Sequence, residues 1–197
     1  MADGGSVDGK GIGARVLRKE DARHLAGKGK FTSDFKRPGQ MDMAFVRSPV
    51  AHGRIKSISK PAGFEGAVFT AQDLSDLKPM RAPSKLPGYK ASDYPSLAID
   101  KVRFAGEPVA VCVASSRAEA EDIAQMVEVE YDVLPAVTDM LAAKAADAPL
   151  IHEEWDDNIV FETFSDDDFS KIADEATVVI KREYRMNRQA MNPMEGK

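Results

Sequence analysis

The stretch that most constrains the fold runs from Lys101 to Pro135, KVRFAGEPVAVCVASSRAEAEDIAQMVEVEYDVLP. Val109 to Ala114 is a near-continuous apolar run of strand length. A strand with apolar residues at successive positions needs cover on both faces, so this one belongs at the centre of a sheet. Gly106-Glu107-Pro108 sets the turn into it. Ser116-Arg117-Ala118-Glu119 then has capping-box spacing. Ala120, Ile123, Ala124 and Val127 follow at i, i+3, i+4 and i+7, a single apolar stripe on a helix. Val127, Val129, Tyr131 and Val133 alternate with Glu128, Glu130 and Asp132, the period of a half-buried strand. Strand, helix and strand therefore follow one another within 35 residues, and the whole reads as α+β rather than as a doubly wound sheet.

The flanking sequence is less regular. Residues 1–13 carry five of the 14 glycines and no periodic pattern, and are expected to form a flexible arm. A short strand is expected near Lys30–Phe35. GQMDMAFVRS alternates Met41, Met43 and Phe45 against Gln40, Asp42 and Ala44, which predicts a strand with its large apolar residues turned inward. GRIKSISK is a second strand, expected to pair with the first across SPVAH. GAVFTAQDL reads as a short strand with Thr70 capping a helical turn. Residues 78–96 hold four of the 11 prolines in a long excursion without periodicity, the kind of loop that forms a binding or contact surface. A short Ala-rich helix is expected after Pro135, a loop over 150–170, and a strand over Thr177–Gln189.

Chemistry-bearing patterns are sparse. Gly9-x-Gly11-x-Gly13 and Gly27-Lys28-Gly29-Lys30 lack the spacing of a phosphate loop. His24, His52 and His152 have no metal-ligand spacing, and Asp166-Asp167-Asp168 reads as an acidic helix start rather than a calcium loop. Cys112, the single cysteine, lies in the central strand and reads as a buried, inert thiol. The chain is 43% hydrophobic and 30% charged with a formal charge of −5, a balance that points away from nucleic acid. No apolar run reaches bilayer length, and the cytoplasm is the expected compartment. On these residues alone no catalytic, cofactor or metal set is identified.

Three stretches together resemble one family. RKEDARHLAGKGKFTSDF, VRSPVAHGRIKSI and DKVRFAGEPVAVCVASSRAEAEDIAQMVEVEYDVLPAV resemble, in order and spacing, the N-terminal part of the large subunit of the molybdenum hydroxylases. That group includes xanthine dehydrogenase, aldehyde oxidase and carbon monoxide dehydrogenase, and IGARVLRKED is most like the last of these. The resemblance covers about residues 11–195. It implies an α/β-hammerhead with a mixed sheet over residues 19–140, an arm over 1–18, and a strand-containing tail over 141–197 that leads toward a molybdopterin-binding domain. The family-motif positions are Arg47, Ser48, Pro49, His52, Arg54, Arg103, Gly106, Glu107, Pro108, Pro193 and Glu195, with structural or interface roles expected.

The resemblance further implies a parent assembly with molybdopterin, iron–sulfur clusters and FAD, none of them held by this chain. The implied partners are a molybdopterin-binding large chain and iron–sulfur and flavin subunits, with room for a homo-oligomer. A natural split subunit or a truncated large chain is the expected origin. The rival reading is a stand-alone hammerhead binding module with residues 78–96 as its contact surface.

Overall fold

A computed structural model describes residues 12, 18–163 and 168–186. The chain divides into two units, one of residues up to Gly39 together with those from Lys181 onward, the other Gln40–Ile180. In the first unit the described elements are a one-turn helix α1 (Asp21–Leu25) and a 3-10 turn at Thr32–Asp34. The strand expected at Lys30–Phe35 is thus a turn, closed by the Asp34 carboxylate accepting from Phe31 N at 2.9 Å. An Asp that bonds its own backbone in this way competes with strand pairing.

The second unit carries the regular structure. Its strands are β1 (Asp42–Arg47), β2 (Gly53–Ser59), β3 (Val68–Thr70), β4 (Met80–Arg81), β5 (Asp93–Tyr94), β6 (Lys101–Val102), β7 (Pro108–Ala114) and β8 (Glu128–Val133). Its helices are α2 (Arg117–Met126) and α3 (Phe169–Glu175). The strands form two three-stranded sheets, ordered β1-β7-β3 and β6-β2-β8, and a two-stranded ribbon β4-β5. The pairings of the described strands are antiparallel, where a mixed sheet was expected. Helix α2 connects β7 to β8, which lie in different sheets, so it creates no parallel neighbour.

The 101–135 segment folds as its pattern predicts. β7 is the centre of its sheet, and Val109, Ala110 and Cys112 have no exposure. Ser116 Oγ caps α2 by accepting from Glu119 N at 3.3 Å. Glu119 reaches back one residue further than an ideal capping box, to Ser115 N at 3.2 Å and Ser115 Oγ at 2.6 Å. Ala120 and Ile123 of α2 are buried against Ala44, Val68, Ala110, Cys112 and Ala114, the core beneath the first sheet. A second cluster of Ala98, Val102 and Val109 packs against Val50, Ile55 and Tyr131, and Val46 and Val129 border both.

Three further expectations are corrected. β1 and β2 do not pair: β1 lies against β7 and β2 between β6 and β8. β1 also presents the opposite face from the one expected, with Ala44 buried while Met43 and Phe45 are 55% and 41% exposed. The space under α2 is already filled by Ile123 and Val68, which leaves room at that position only for a small side chain. The Ala-rich segment after Pro135 forms a single 3-10 turn, Ala142–Lys144, started by Asp139 Oδ1 accepting from Leu141 N and Ala142 N at 2.8 and 2.9 Å.

The strand expected over Thr177–Gln189 is absent from its described part, 177–186, where Val178, Ile180, Tyr184 and Met186 are all more than 70% exposed. A strand forms only where a second backbone pairs with it, and none of the described residues pairs with this stretch. Gln189, Pro193 and Glu195 lie outside the described residues, as do Asp166 and Asp167, whereas Asp168 caps α3 by accepting from Ser170 N at 3.1 Å.

Candidate functional site

The two motif segments, residues 47–54 and 103–108, are separated by 48 residues in sequence and lock together in space. Ser48 N donates to the Glu107 carbonyl at 2.9 Å, and Gly106 N donates to the Ser48 carbonyl at 2.7 Å. Arg47 Nη1 donates to the Gly106 carbonyl at 2.9 Å. A turn between β1 and β2 is thereby clasped to the turn that feeds β7. The register of β1 against β7 shifts between Val46 and Arg47, where the clasp begins.

Each side has its own internal order. Ser48 is buried, and its Oγ donates to the Val50 carbonyl at 2.9 Å while accepting from Val50 N at 3.1 Å. Pro49 occupies the exposed corner of that turn. On the other side Gly106 has φ 92°, a conformation open to glycine and costly for other residues. Glu107 is 4% exposed, and its Oε2 accepts from Arg103 N at 2.5 Å. The carboxylate thus closes the turn from inside, and Pro108 opens β7 with its carbonyl accepting from Ala98 N at 2.8 Å.

His52 is 4% exposed, with Nδ1 2.7 Å from the Pro135 carbonyl; this distance fits an Nδ1–H donor. Its backbone carbonyl accepts from Leu134 N at 2.9 Å, which fixes the Leu134-Pro135 exit from β8. Gly53 is required by close approach, since a Cβ there would sit 3.1 Å from the Asp132 carbonyl oxygen. Arg54 is exposed and reaches Glu153 at 3.2 Å.

The structure brings in residues that no pattern had singled out. Lys101 is 2% exposed, and its Nζ donates to the Ile151 carbonyl at 2.8 Å and to Glu153 Oε2 at 2.5 Å. This ties the 150–160 loop to the start of β6. The Glu153 carboxyl is held below its usual range, chiefly by that Lys101 hydrogen bond. Tyr131 lies near Ser48 with its hydroxyl buried; burial pushes the phenol up and the neighbouring Ser48 side chain partly offsets this. A lysine at a strand position carries no sequence signal for burial, because its long amphipathic side chain occupies surface and interior alike; Tyr131 stands on the apolar side of the β8 alternation.

An open cavity of about 440 Å³ adjoins the site, walled by Leu77, Pro79, Arg81, Asp93, Arg103 and His152 among others. Within it Arg81 pairs with Asp93 at 2.6 Å and His152 Nδ1 lies 3.3 Å from Glu154, while Arg103 Nε is buried without a partner among the described residues. His152 also stacks on Trp155 with 4.3 Å between ring centres.

The arrangement holds backbone in place through Ser48 Oγ, His52 Nδ1 and Glu107 Oε2. Among the described residues no cluster of three or more His, Cys, Asp and Glu side chains is placed to bind a metal ion. Cys112 is buried and its thiol is pushed up by that burial, which disfavours the thiolate that a metal or iron–sulfur cluster needs. No helix among the described residues is long and apolar enough to cross a membrane.

A clasped pair of turns joining two small antiparallel sheets, with one helix on the larger core, is an α/β-hammerhead. Residues 26–135 match the family model for the aldehyde oxidase and xanthine dehydrogenase a/b hammerhead domain. The chain belongs to that family. It is 43% identical over 148 residues to the carbon monoxide dehydrogenase large chain of Hydrogenophaga pseudoflava, covering 73% of this chain and 18% of that one. It is 37% identical over 190 residues to the nicotine 6-hydroxylase large subunit of Paenarthrobacter nicotinovorans, covering 93% and 23%. Among solved structures, quinoline 2-oxidoreductase from Pseudomonas putida 86 superposes with a TM-score of 0.76 at 37% identity, over 84% of this chain and 22% of that one. The chain spans about a fifth of the length of these relatives.

Proposed function

We propose that this chain is the hammerhead component of a molybdenum-dependent hydroxylase, packing against the molybdopterin-binding part and carrying no catalytic group of its own. The parent enzyme oxidises an aldehyde, an N-heterocycle or carbon monoxide with oxygen taken from water. Molybdopterin, iron–sulfur clusters and FAD sit on other parts of the assembly, in the cytoplasm. Residues 19–140 are the hammerhead, 1–18 an arm, and 141–197 the link toward the molybdopterin-binding domain.

The observation that carries this reading is the motif clasp. Ser48, His52 and Glu107, which have the chemical types of catalytic residues, are buried; Ser48 Oγ, His52 Nδ1 and Glu107 Oε2 bond to backbone groups, while His52 Nε2 has no partner among the described residues. Arg47, Pro49, Arg54, Arg103, Gly106 and Pro108 complete the clasp or its rim; Pro193 and Glu195 are assigned a structural or interface role as family-motif positions. The match to longer relatives, two of them named as a molybdenum-binding and a molybdopterin subunit, of which the chain covers 19% and 32%, supports the assembly.

The test is purification from the native host at near-native concentration. The expected result is a complex holding this chain, a larger chain, molybdenum and a flavin and iron–sulfur spectrum, while the separated 197-residue chain is colourless and inactive. Stoichiometric molybdenum on the separated chain would overturn the reading. A native chain that travels alone would favour the stand-alone module.

A further inference from the structure

The clasp uses the backbone of Arg103 and leaves its side chain over. Arg103 N donates to Glu107, but Arg103 Nε is buried with no hydrogen-bond partner among the described residues. A buried donor in a folded protein is nearly always paired, with protein, water or ligand. Arg103 lines the cavity of about 440 Å³, within the size range of small-molecule pockets. Three segments wall that cavity, and each is tied down separately. The β4-β5 ribbon is closed by Arg81 and Asp93 at 2.6 Å. The loop carrying His152 and Glu154 is held by Lys101 on the Ile151 carbonyl at 2.8 Å and by Lys90 on Asp157 at 2.6 Å. The segment leading into β6 is held by Ile55 N, which donates to the Asp100 carbonyl at 2.8 Å. Walls fixed in this way form a site without needing a ligand to assemble it.

We infer that this cavity binds a small monocarboxylate with a flat apolar body, the carboxylate taking Arg103 Nε–H and the adjacent Nη–H side by side. The planar edge of a guanidinium matches the two oxygens of a carboxylate, and such paired bonds are the strong ones. Leu77, Pro79, Pro95 and Ile99 supply the apolar lining for the body, with Leu77 and Ile99 57% and 60% exposed. The acidic groups of the lining stand toward solvent: the Asp93 and Glu154 side chains are 50% and 58% exposed, and Asp100 is exposed. Water screens those charges more than it screens the buried Nε. They still disfavour a dianion, which sets a carboxylate above a phosphate. A water molecule could pair Nε but would leave the apolar lining unused. The site draws on the side chain that the clasp does not use, and it does not depend on the assembly proposed for the chain.

The experiment titrates the 197-residue chain with benzoate, followed by calorimetry and by the arginine Nε–H resonances, with benzyl alcohol and inorganic phosphate as comparisons. Saturable benzoate binding with a Kd of about 1 mM or tighter is expected, with both comparison compounds weaker by about tenfold or more. The Arg103 Nε–H resonance should shift on binding, and further than that of Arg81. Arg103→Lys keeps the charge but loses the fork, and should weaken benzoate by about tenfold or more. If that variant melts below the parent, the ligand comparison on the unaltered chain decides. No saturable binding, or no shift at Arg103, would overturn the inference and leave water as the partner of Nε. Benzyl alcohol binding as tightly as benzoate would overturn it in favour of a purely apolar pocket, and phosphate binding as tightly would reduce it to a site for any anion. Benzoate binding that is lost in the complex isolated from the host would also overturn it, because the cavity would then be filled by another part of the assembly.

Discussion

Glu107 is the residue through which the clasp can be tested most directly. Its carboxylate is 4% exposed and accepts from Arg103 N at 2.5 Å, a charge-assisted hydrogen bond from inside a turn. Removing it with Glu107→Ala leaves the Arg103 amide without its acceptor and deletes buried side-chain carbons. A hydrogen bond to a charged group contributes about 1.5–3 kcal/mol, so with the lost packing the variant should be less stable by about 2–4 kcal/mol. Glu107→Gln keeps the shape and one carbonyl acceptor and should cost about 1 kcal/mol or less. The backbone bonds between Ser48 and residues 106 and 107 do not use the side chain, so damage should centre on Arg103. Urea denaturation of the three proteins, with amide exchange at Arg103 as the local reporter, makes the comparison. Glu107→Ala within about 0.5 kcal/mol of the parent, or Glu107→Gln as damaging as alanine, would refute a hydrogen-bonding role for this side chain.

Other outcomes follow from the same structure. Ile123 is 2% exposed in the core under α2, so Ile123→Ala, which deletes three buried carbons, should cost about 2–5 kcal/mol in chemical denaturation, whereas Met126→Ala on the exposed side of the same helix should barely register. Asp73 is pushed down to about 2, first by its hydrogen bond from Lys60 at 2.8 Å and then by Thr70 N at 2.7 Å. A carboxyl depressed in the folded state stabilises above its ordinary pKa of 3.8, and that stabilisation fades as pH falls toward 2. The melting-temperature gap between the parent and Asp73→Asn should therefore be present at pH 6 and close by pH 2; a gap that persists at pH 2 would show that charge is not its cause. Residues 178–186 should exchange their amides rapidly in the separated chain and slowly in the complex. Strong protection in a demonstrated monomer would mean that the tail packs on its own domain.

Periodicity and end signals in the sequence located β7, α2 and β8, the Ser116 cap and the Gly106-Glu107-Pro108 turn, because each depends on residues within a few positions of one another. The motif residues were legible as a set, but not what they do. That Ser48 meets Gly106 and Glu107 is a contact across nearly sixty residues, which no local spacing reports. Strand pairing has the same character. β1 and β2 are adjacent in the chain and read as a hairpin, yet the apolar run of β7 takes β1, and β2 finds β6 and β8. Period two told that Met43 and Phe45 share a face with each other and not with Ala44. It could not tell which face turns inward, because α2, through Ile123, had already filled that side. The tail shows the converse: Val178, Ile180, Tyr184 and Met186 carry a strand's alternation, but a strand is a property of two backbones, and only tertiary structure decides whether the second one is there.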